Sequence, residues 1–302
     1  MKKAIDKNIN TDPAVRDRAK GALWGLLVGD ALGDPLQFGP PRPDSNLLTE
    51  MVAGGPFRTP AGYWTDDGAM ELCIIDSTVR KGGYDLKDIA DSFLKWLRTG
   101  YMSSLDHAFD QGCSTTSSLY KYERTGSLVN GHEGAQGNGS LMRHAPVTFV
   151  ALHEGDEDII YKVSDVTHAS KAVRKCVKTL HDAIVAHAFD HRKTEALGRY
   201  VTRDEKTGIL RCADRRKVSC SGHAEEALDA ALWAFHSTDT FEKALIAAIN
   251  NGNDSDTVGA ITGQIAGAFY GYSAIPERWL AAMKDREKLD ALIEKFLDIV
   301  LA

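Results

Sequence analysis

The sequence has few features of a secreted, membrane-spanning or nucleic-acid-binding protein. Its five cysteines are scattered, odd in number and form no Cys-x-x-Cys pair, so we expect neither disulfides nor a structural zinc site. No apolar run is long enough to span a bilayer, and none follows the first residues as in a secretory signal. The net charge of −6 argues against general binding to nucleic acid. These absences predict a cytoplasmic location, with neither a membrane nor a nucleic acid as partner.

The sequence also lacks the alternation of apolar and polar residues that is typical of half-buried β-strands. Apolar residues recur at helical spacing instead, and neither a repeat nor a linker divides the chain. We therefore predict an all-α fold, with residues 1–302 forming a single compact domain of roughly ten or more helices. Predicted helices begin at Thr11-Asp12-Pro13 and after Trp64, and others cover residues 85–97, 105–122, 141–152, 159–167, 172–189, 225–235, 241–249 and 286–301. Residues 36–63 and 129–140 are predicted to be long loops, and residues 191–218 have no clear assignment.

Two of the predicted helices carry glycine at every fourth position. One contains Gly21, Gly25, Gly29 and Gly33, and the other contains Gly259, Gly263 and Gly267. Residues four apart share one face of a helix, and each internal glycine costs about 1 kcal/mol relative to alanine. Several glycines on one face therefore indicate that another backbone packs very close. We expect the two glycine faces to pack against each other, with the second helix central and buried.

Two helix starts far apart in the sequence have the same acidic chemistry. Thr65-Asp66-Asp67 heads one helix, and Asp254-Ser255-Asp256-Thr257 heads the later glycine-faced helix. Such side chains cap helix starts, which is their alternative role here. Carboxylates that converge repel each other unless a cation lies between them. Oxygen ligands without Cys or His suit a hard ion such as Mg²⁺, Mn²⁺ or Ca²⁺, so the two starts together predict a metal site.

Several short motifs follow one another along the chain, namely Gly29-Asp30-Ala31-Leu32-Gly33, Trp64-Thr65-Asp66-Asp67, Gly137-Asn138-Gly139-Ser140-Leu141-Met142-Arg143, Thr167-His168, Ala230-Ala231-Leu232-Trp233-Ala234-Phe235 and Gly252-Asn253-Asp254-Ser255-Asp256-Thr257-Val258-Gly259-Ala260. Taken together and in this order, they resemble those of the ADP-ribosylglycohydrolase family over about residues 16–283. The resemblance implies a compact all-α domain with two Mg²⁺ or Mn²⁺ ions at the bottom of a cleft. The implied metal ligands are Thr65, Asp66, Asp67, Asp254, Asp256 and Thr257.

Similar proteins cleave the glycosidic bond between ADP-ribose and a protein side chain, most often arginine. The resemblance therefore implies a metal-dependent hydrolase that acts on ADP-ribosylated protein and releases ADP-ribose. Breaking this bond leaves positive charge on the ribose, and two cations can hold the ribose hydroxyls and a water. Asp66 and Asp256 belong to the catalytic centre implied in this way.

The resemblance also implies where the rest of ADP-ribose binds. Backbone N–H groups of a glycine-rich loop suit a diphosphate, and residues 137–140 (Gly137, Asn138, Gly139 and Ser140) are the candidate loop. The alternative is that Ser140 or Asn138 caps the following helix. His168 matches the histidine that lines the ADP-ribose cleft in similar proteins, and its alternative is a purely structural role.

Two positions bear on catalysis without settling it. Asp110 aligns loosely with the acid proposed as general base in arginine-type members, with Asp106 as the alternative. Family members usually have glutamate where this chain has Gln37, and glutamine cannot take a proton. The chain is therefore an arginine-type enzyme that relies on Asp110, a weak hydrolase, an engineered inactive form, or an ADP-ribose binder.

Two other functions remain open at this point. The first is a non-catalytic immunity or interaction protein that blocks an ADP-ribosylating toxin or binds ADP-ribose, for which Gln37 is the clue. The second is a metal hydrolase that acts on another ribosyl or phosphate compound.

Overall fold

The structure is a computed structural model that describes residues 12–302, and it consists almost entirely of helices. The twelve α-helices of this part of the chain are α1 (Pro13–Gly33), α2 (Asp66–Lys81), α3 (Leu86–Thr99), α4 (Cys113–Thr125), α5 (Ala145–Glu154), α6 (Ile159–Asp165), α7 (Lys171–Ala188), α8 (Ala224–His236), α9 (Phe241–Ile249), α10 (Ser255–Tyr270), α11 (Glu277–Ala282) and α12 (Arg286–Val300). The prediction of an all-α fold is confirmed. Of the predicted first helix start, Asp12 accepts a hydrogen bond from Ala14 N, and Thr11 lies outside the described residues.

Helices α1 and α10 form the centre of the molecule, antiparallel and in backbone contact. Gly25 packs on Gly263, and a Cβ atom added at Gly263 would lie 1.9 Å from the carbonyl oxygen of Gly25. Gly21 meets Gly267 and Gly29 meets Gly259 in the same way. The expected contact between the two glycine faces is therefore present. Because the helices are antiparallel, it places the first turn of α10 beside the last turn of α1.

One predicted helix begins in the wrong place. Residues 105–112 are irregular, and α4 begins only at Cys113, whereas the sequence predicted a helix over 105–122. Asp110 has a positive φ of 54°, which no right-handed helix allows, and Ser103 Oγ donates to His107 O and so closes a turn before it. The error matters because it moves Asp106 and Asp110 from a helix face onto a loop.

Smaller differences concern segments with proline or with little apolar pattern. Helix α5 begins at Ala145 rather than at Leu141, because Pro146 is best placed in a first helical turn. Within residues 191–218, Val201–Arg203 pairs antiparallel with Leu210–Cys212 as β1 and β2. This hairpin is mostly exposed, and its short length and lone pairing explain why no alternation signalled it.

Candidate active site

A cleft of about 340 Å³ opens where the first turns of α2 and α10 meet. Most of the predicted site residues line it, namely Gln37, Asp66, Asp67, Asp110, Gly137, Asn138, Gly139, His168, Asp254 and Thr257. Three others, Thr65, Ser140 and Asp256, are buried and do not belong to its lining. Tertiary packing therefore brings together residues from segments up to 220 positions apart (Gln37 and Thr257).

The start of α2 is fixed by an aspartate to which the sequence analysis assigned no role. Thr65 N donates to Asp30 Oδ2 at 3.0 Å, and Gly68 N donates to the same oxygen at 2.8 Å. Asp30 lies on α1 and is completely buried. It satisfies two N–H groups of the first turn of α2 and so fixes where this turn lies. An aspartate within the second half of α1, which is otherwise apolar and carries the glycines, is the signal that could have found it.

Thr65 itself occupies the N-cap of α2, where its hydroxyl accepts from Asp67 N at 3.4 Å. The capping role is therefore present, and metal ligation by Thr65 stays a prediction.

The two helix starts touch through Thr257, whose hydroxyl donates to Asp67 Oδ1 at 3.4 Å. Asn138 Nδ2 donates to Asp254 Oδ2 at 2.6 Å and ties the glycine-rich loop to the same group.

The carboxyl groups at the cleft have raised pKa values because they are buried next to one another. Burial raises the pKa of Asp66, Asp67 and Asp256 well above its usual range, and repulsion from neighbouring carboxylates raises it further. Burial raises the pKa of Asp254 and of Asp110 as well. A cation among these groups would reverse both effects and keep the carboxylates ionised.

The chemistry of these side chains fits a hard divalent cation. Oδ2 of Asp67 and both carboxylate oxygens of Asp256 are buried without a hydrogen-bond partner among residues 12–302. Buried polar atoms usually have a partner, so these oxygens are available as ligands. Within the described part of the chain, however, no three or more His, Cys, Asp or Glu side chains already have the positions of a metal site. The donor set fits, while the geometry of a dinuclear centre is not formed.

Gln37 and Asp110 are in direct contact at one wall of the cleft. Gln37 Nε2 donates to Asp110 Oδ2 at 2.7 Å, and this bond opposes the rise that burial causes in the pKa of Asp110. Asp110 and Phe38 both have positive φ, as does Asn253, whose carbonyl accepts from Phe38 N at 2.6 Å. Such strained conformations often occur at functional sites. Asp106, in contrast, has a side chain that is 98% exposed and does not line the cleft.

The glycine-rich loop packs on the ring of His168. A Cβ atom added at Gly139 would lie 2.8 Å from His168 Cε1, so the loop requires glycine there. Neither Asn138 nor Ser140 caps α5, because α5 begins at Ala145 and the amide of Asn138 is bound to Asp254. The capping alternative is therefore wrong for both residues.

Asp34 is a second buried aspartate without a role in the sequence analysis. It follows α1 directly, and the hydroxyl of Thr59 donates to it. Burial raises its pKa to about 6, and repulsion from Asp110 adds to the rise. Its bond to Thr59 holds the long loop of residues 36–63 against the end of α1, next to the cleft wall that Gln37 forms.

A family model described as ADP-ribosylglycohydrolase matches residues 11–301 of this chain. The chain belongs to the ADP-ribosylglycohydrolase family. The chain is 35% identical over 294 residues to the ADP-ribosylarginine hydrolase Tri1 of Pseudomonas putida, covering 93% of this chain and 78% of that one. It is 31% identical to the ADP-ribosyl-[dinitrogen reductase] glycohydrolase of Rhodospirillum rubrum, covering 97% and 98% of the two chains.

A solved structure described as "ADP-ribosylglycohydrolase-related protein complex" has the same fold as this chain. The TM-score is 0.76 at 33% identity, with 95% of this chain and 99% of that chain covered. The resemblance inferred from the motifs is thus confirmed. No helix within residues 12–302 combines the length and the apolar character needed to cross a membrane.

Proposed function

We propose that this chain hydrolyses the bond between ADP-ribose and a modified arginine of a protein, with the help of two divalent cations. The observation that carries the proposal is the contact between the two acidic helix starts, Thr65–Asp67 and Asp254–Thr257, at the bottom of one cleft. The names of the similar proteins from Pseudomonas putida and Rhodospirillum rubrum support this reaction class, and the first of them supports arginine as the acceptor.

The cations, Mg²⁺ or Mn²⁺, would be held by the carboxylates of Asp66, Asp67, Asp254 and Asp256 and by the hydroxyls of Thr65 and Thr257. When bound, they supply a Lewis acid that holds ribose hydroxyls and lowers the pKa of a water. The oxygens of Asp67 and Asp256 that lack a hydrogen-bond donor within the described residues support this assignment, because a cation would satisfy them. Two Thr hydroxyls and four carboxylates are oxygen donors only, as these ions prefer.

Asp110 acts on the leaving group. Hydrolysis joins the oxygen of water to C1 of the ribose, while the guanidine nitrogen keeps the bonding electrons and takes up a proton. A carboxylate is the natural partner of a guanidinium group, and Asp110 lines the cleft close to the acid cluster. Gln37 positions it, because the Gln37 amide donates to Oδ2 of Asp110. In this scheme Gln37 itself transfers no proton.

The loop of residues 137–140 and His168 bind the diphosphate of ADP-ribose. Asn138 of the loop is hydrogen-bonded to Asp254 of the acid cluster, and Gly139 packs on His168, so the loop contacts both groups. With the ribose at the cations and the diphosphate at the loop, both parts of ADP-ribose would be held in the orientation that hydrolysis requires.

A second function is favoured by one observation, the amide at residue 37. If a carboxylate is needed there, the chain binds ADP-ribose without hydrolysing it, as an interaction or immunity protein would. Since the Gln37 amide transfers no proton, any proton needed must come from another group, and Asp110 is the carboxyl group to which Gln37 is hydrogen-bonded.

Release of ADP-ribose from an arginine-ADP-ribosylated protein separates the two functions. The wild type and Gln37→Glu are assayed with Mg²⁺, with Mn²⁺ and with EDTA. We expect release by the wild type that depends on metal. Release by Gln37→Glu alone would assign the wild type to the binding function. If neither protein releases ADP-ribose although both bind it, the arginine acceptor is wrong, and a serine-ADP-ribosylated protein is the next substrate.

A further inference from the structure

Behind the diphosphate loop lies a completely buried arginine that forms no part of the cleft lining. Arg143 follows the glycine-rich loop, and its side chain is 1% exposed. Its guanidinium donates from Nη2 to Thr167 Oγ1 at 2.6 Å, contacts the sulfur of Met70 and packs on the ring of Phe93. Burying a cation is costly, and attraction to the carboxylates of Asp66 and Asp67 offsets part of this cost. The hydrogen bond to Thr167 then fixes the orientation of the guanidinium.

Thr167 connects Arg143 to a residue that lines the cleft. Its Oγ1 lies 2.8 Å from Nδ1 of His168, whose ring is buried and lines the cleft. The other edge of the ring faces the glycine-rich loop, since a Cβ atom added at Gly137 would lie 3.3 Å from His168 Nε2. Arg143, Thr167 and His168 therefore form a chain of polar contacts that ends at the proposed diphosphate site.

The direction of each hydrogen bond in this chain follows from the donors available. Arginine can only donate, so Thr167 Oγ1 accepts from Arg143. The hydroxyl has one proton of its own, and Nδ1 of His168 is the remaining partner within reach. If Nδ1 carried the proton instead, the hydroxyl proton would have no acceptor, and a buried unsatisfied donor costs about 1–3 kcal/mol. The hydroxyl therefore donates to Nδ1, and the ring proton is on Nε2.

We infer that Arg143 and Thr167 are positioning residues that hold His168 as the neutral Nε2–H tautomer and thereby present one hydrogen-bond donor to a phosphate oxygen of ADP-ribose. The inference rests on the proposed function for the nature of this ligand. Burial, together with the neighbouring Arg143 cation, lowers the pKa of His168 to about 3, which agrees with a ring that stays neutral. A neutral donor that is fixed in advance favours binding without an ordering cost.

Two measurements test the inference, one on the tautomer and one on binding. The protonation state of each His168 nitrogen is read from ¹⁵N NMR spectra, with His168→Gln used for assignment. The affinity for free ADP-ribose is measured by titration calorimetry. Thr167→Val removes the hydroxyl at nearly unchanged shape, and Thr167→Ser restores it. A matched control is Thr148→Val, because the Thr148 hydroxyl contacts Nδ1 of His181 at 3.2 Å, and neither residue lines the cleft.

In the wild type and in Thr167→Ser we expect a proton on Nε2 and none on Nδ1. In Thr167→Val we expect a mixture of tautomers and about tenfold weaker binding of ADP-ribose, as for a lost hydrogen bond of about 1.4 kcal/mol. Thr148→Val should change neither quantity at His168. A proton on Nδ1 in the wild type, or an unchanged tautomer in Thr167→Val, overturns the inference. A changed tautomer with unchanged affinity overturns the part that concerns the ligand. A wild type that does not bind ADP-ribose overturns the proposed function, and the NMR result then still decides the tautomer.

Discussion

Two neighbouring groups of buried polar side chains in this molecule are organised in opposite ways. At the bottom of the cleft, Asp67 and Asp256 keep carboxylate oxygens without a hydrogen-bond partner among the described residues. Behind the loop, Arg143, Thr167 and His168 are joined in a chain of two hydrogen bonds. A buried polar group whose hydrogen bonds are made needs no further partner, whereas an unpaired one requires an explanation, such as a bound ion or a proton on the group. The difference supports the two proposals made above, namely that a cation binds among the carboxylates and that the arginine chain orients His168 before a ligand binds.

The largest effect is expected from removing one of the two carboxylates, Asp67 and Asp256, that have unpaired oxygens in the described structure. Asp256→Asn should lower the release of ADP-ribose at least about a thousandfold, because a metal ion supplies several kcal/mol of transition-state stabilisation. The same variant should no longer gain thermal stability on addition of Mg²⁺ or Mn²⁺, although the wild type should, since ligands stabilise the folded state that binds them.

Differential scanning fluorimetry with a metal titration measures this second effect without any assay of activity. Asp85→Asn is the matched control, because Asp85 caps α3 away from the cleft and asparagine caps equally well. Equal metal responses of Asp256→Asn and the wild type would end the interpretation of the acid cluster as a metal site.

A smaller effect is expected from separating the two helices that bring the acids together. Gly263→Ala places a Cβ atom 1.9 Å from Gly25 O and should cost about 2–3 kcal/mol of unfolding free energy, because neither backbone can move away cheaply. Chemical denaturation measures this cost. Gly112→Ala is the control, since the nearest atom to its new Cβ would be 3.8 Å away. Similar stabilities of the two variants would show that the contact between α1 and α10 is not critical.

The smallest effect is expected at Glu71, a buried side chain that does not line the cleft. Both oxygens of Glu71 on α2 are buried without a hydrogen-bond partner in the described structure, and burial raises the pKa of Glu71 well above its usual range. The folded protein then keeps a proton that the unfolded chain releases above about pH 4.5. Stability should therefore fall as pH rises above this value towards the folded-state pKa.

Glu71→Gln removes the titrating group at equal size. We expect its melting temperature to exceed that of the wild type by a few degrees at pH 8, with a much smaller difference at pH 5. Glu287→Gln, at an exposed position of α12, should behave as the wild type at both values. A constant difference between Glu71→Gln and the wild type across this pH range would contradict the assigned protonation.

The parts of the site that the sequence predicted are those whose chemistry is local. A helix start such as Thr65–Asp67 is visible because capping involves only neighbouring residues. The contact of Gly25 with Gly263 could be expected because both faces carry the same periodic signal. The prediction of a helix over 105–122 was wrong at its start. Asp110 has a positive φ, and because this position is not a glycine, the sequence does not indicate that conformation.

By itself the sequence determined the helical class, the two glycine faces, the acidic helix starts and the family. These follow from spacing and from interactions within a few residues, so they survive without knowledge of the packing. Only the tertiary structure decided that Asp30 holds the first turn of α2, that Gln37 binds Asp110, and that Arg143 reaches His168 through Thr167. Such contacts join irregular loops and distant helices, and a hydrogen bond between them depends on ångström distances that no local pattern encodes.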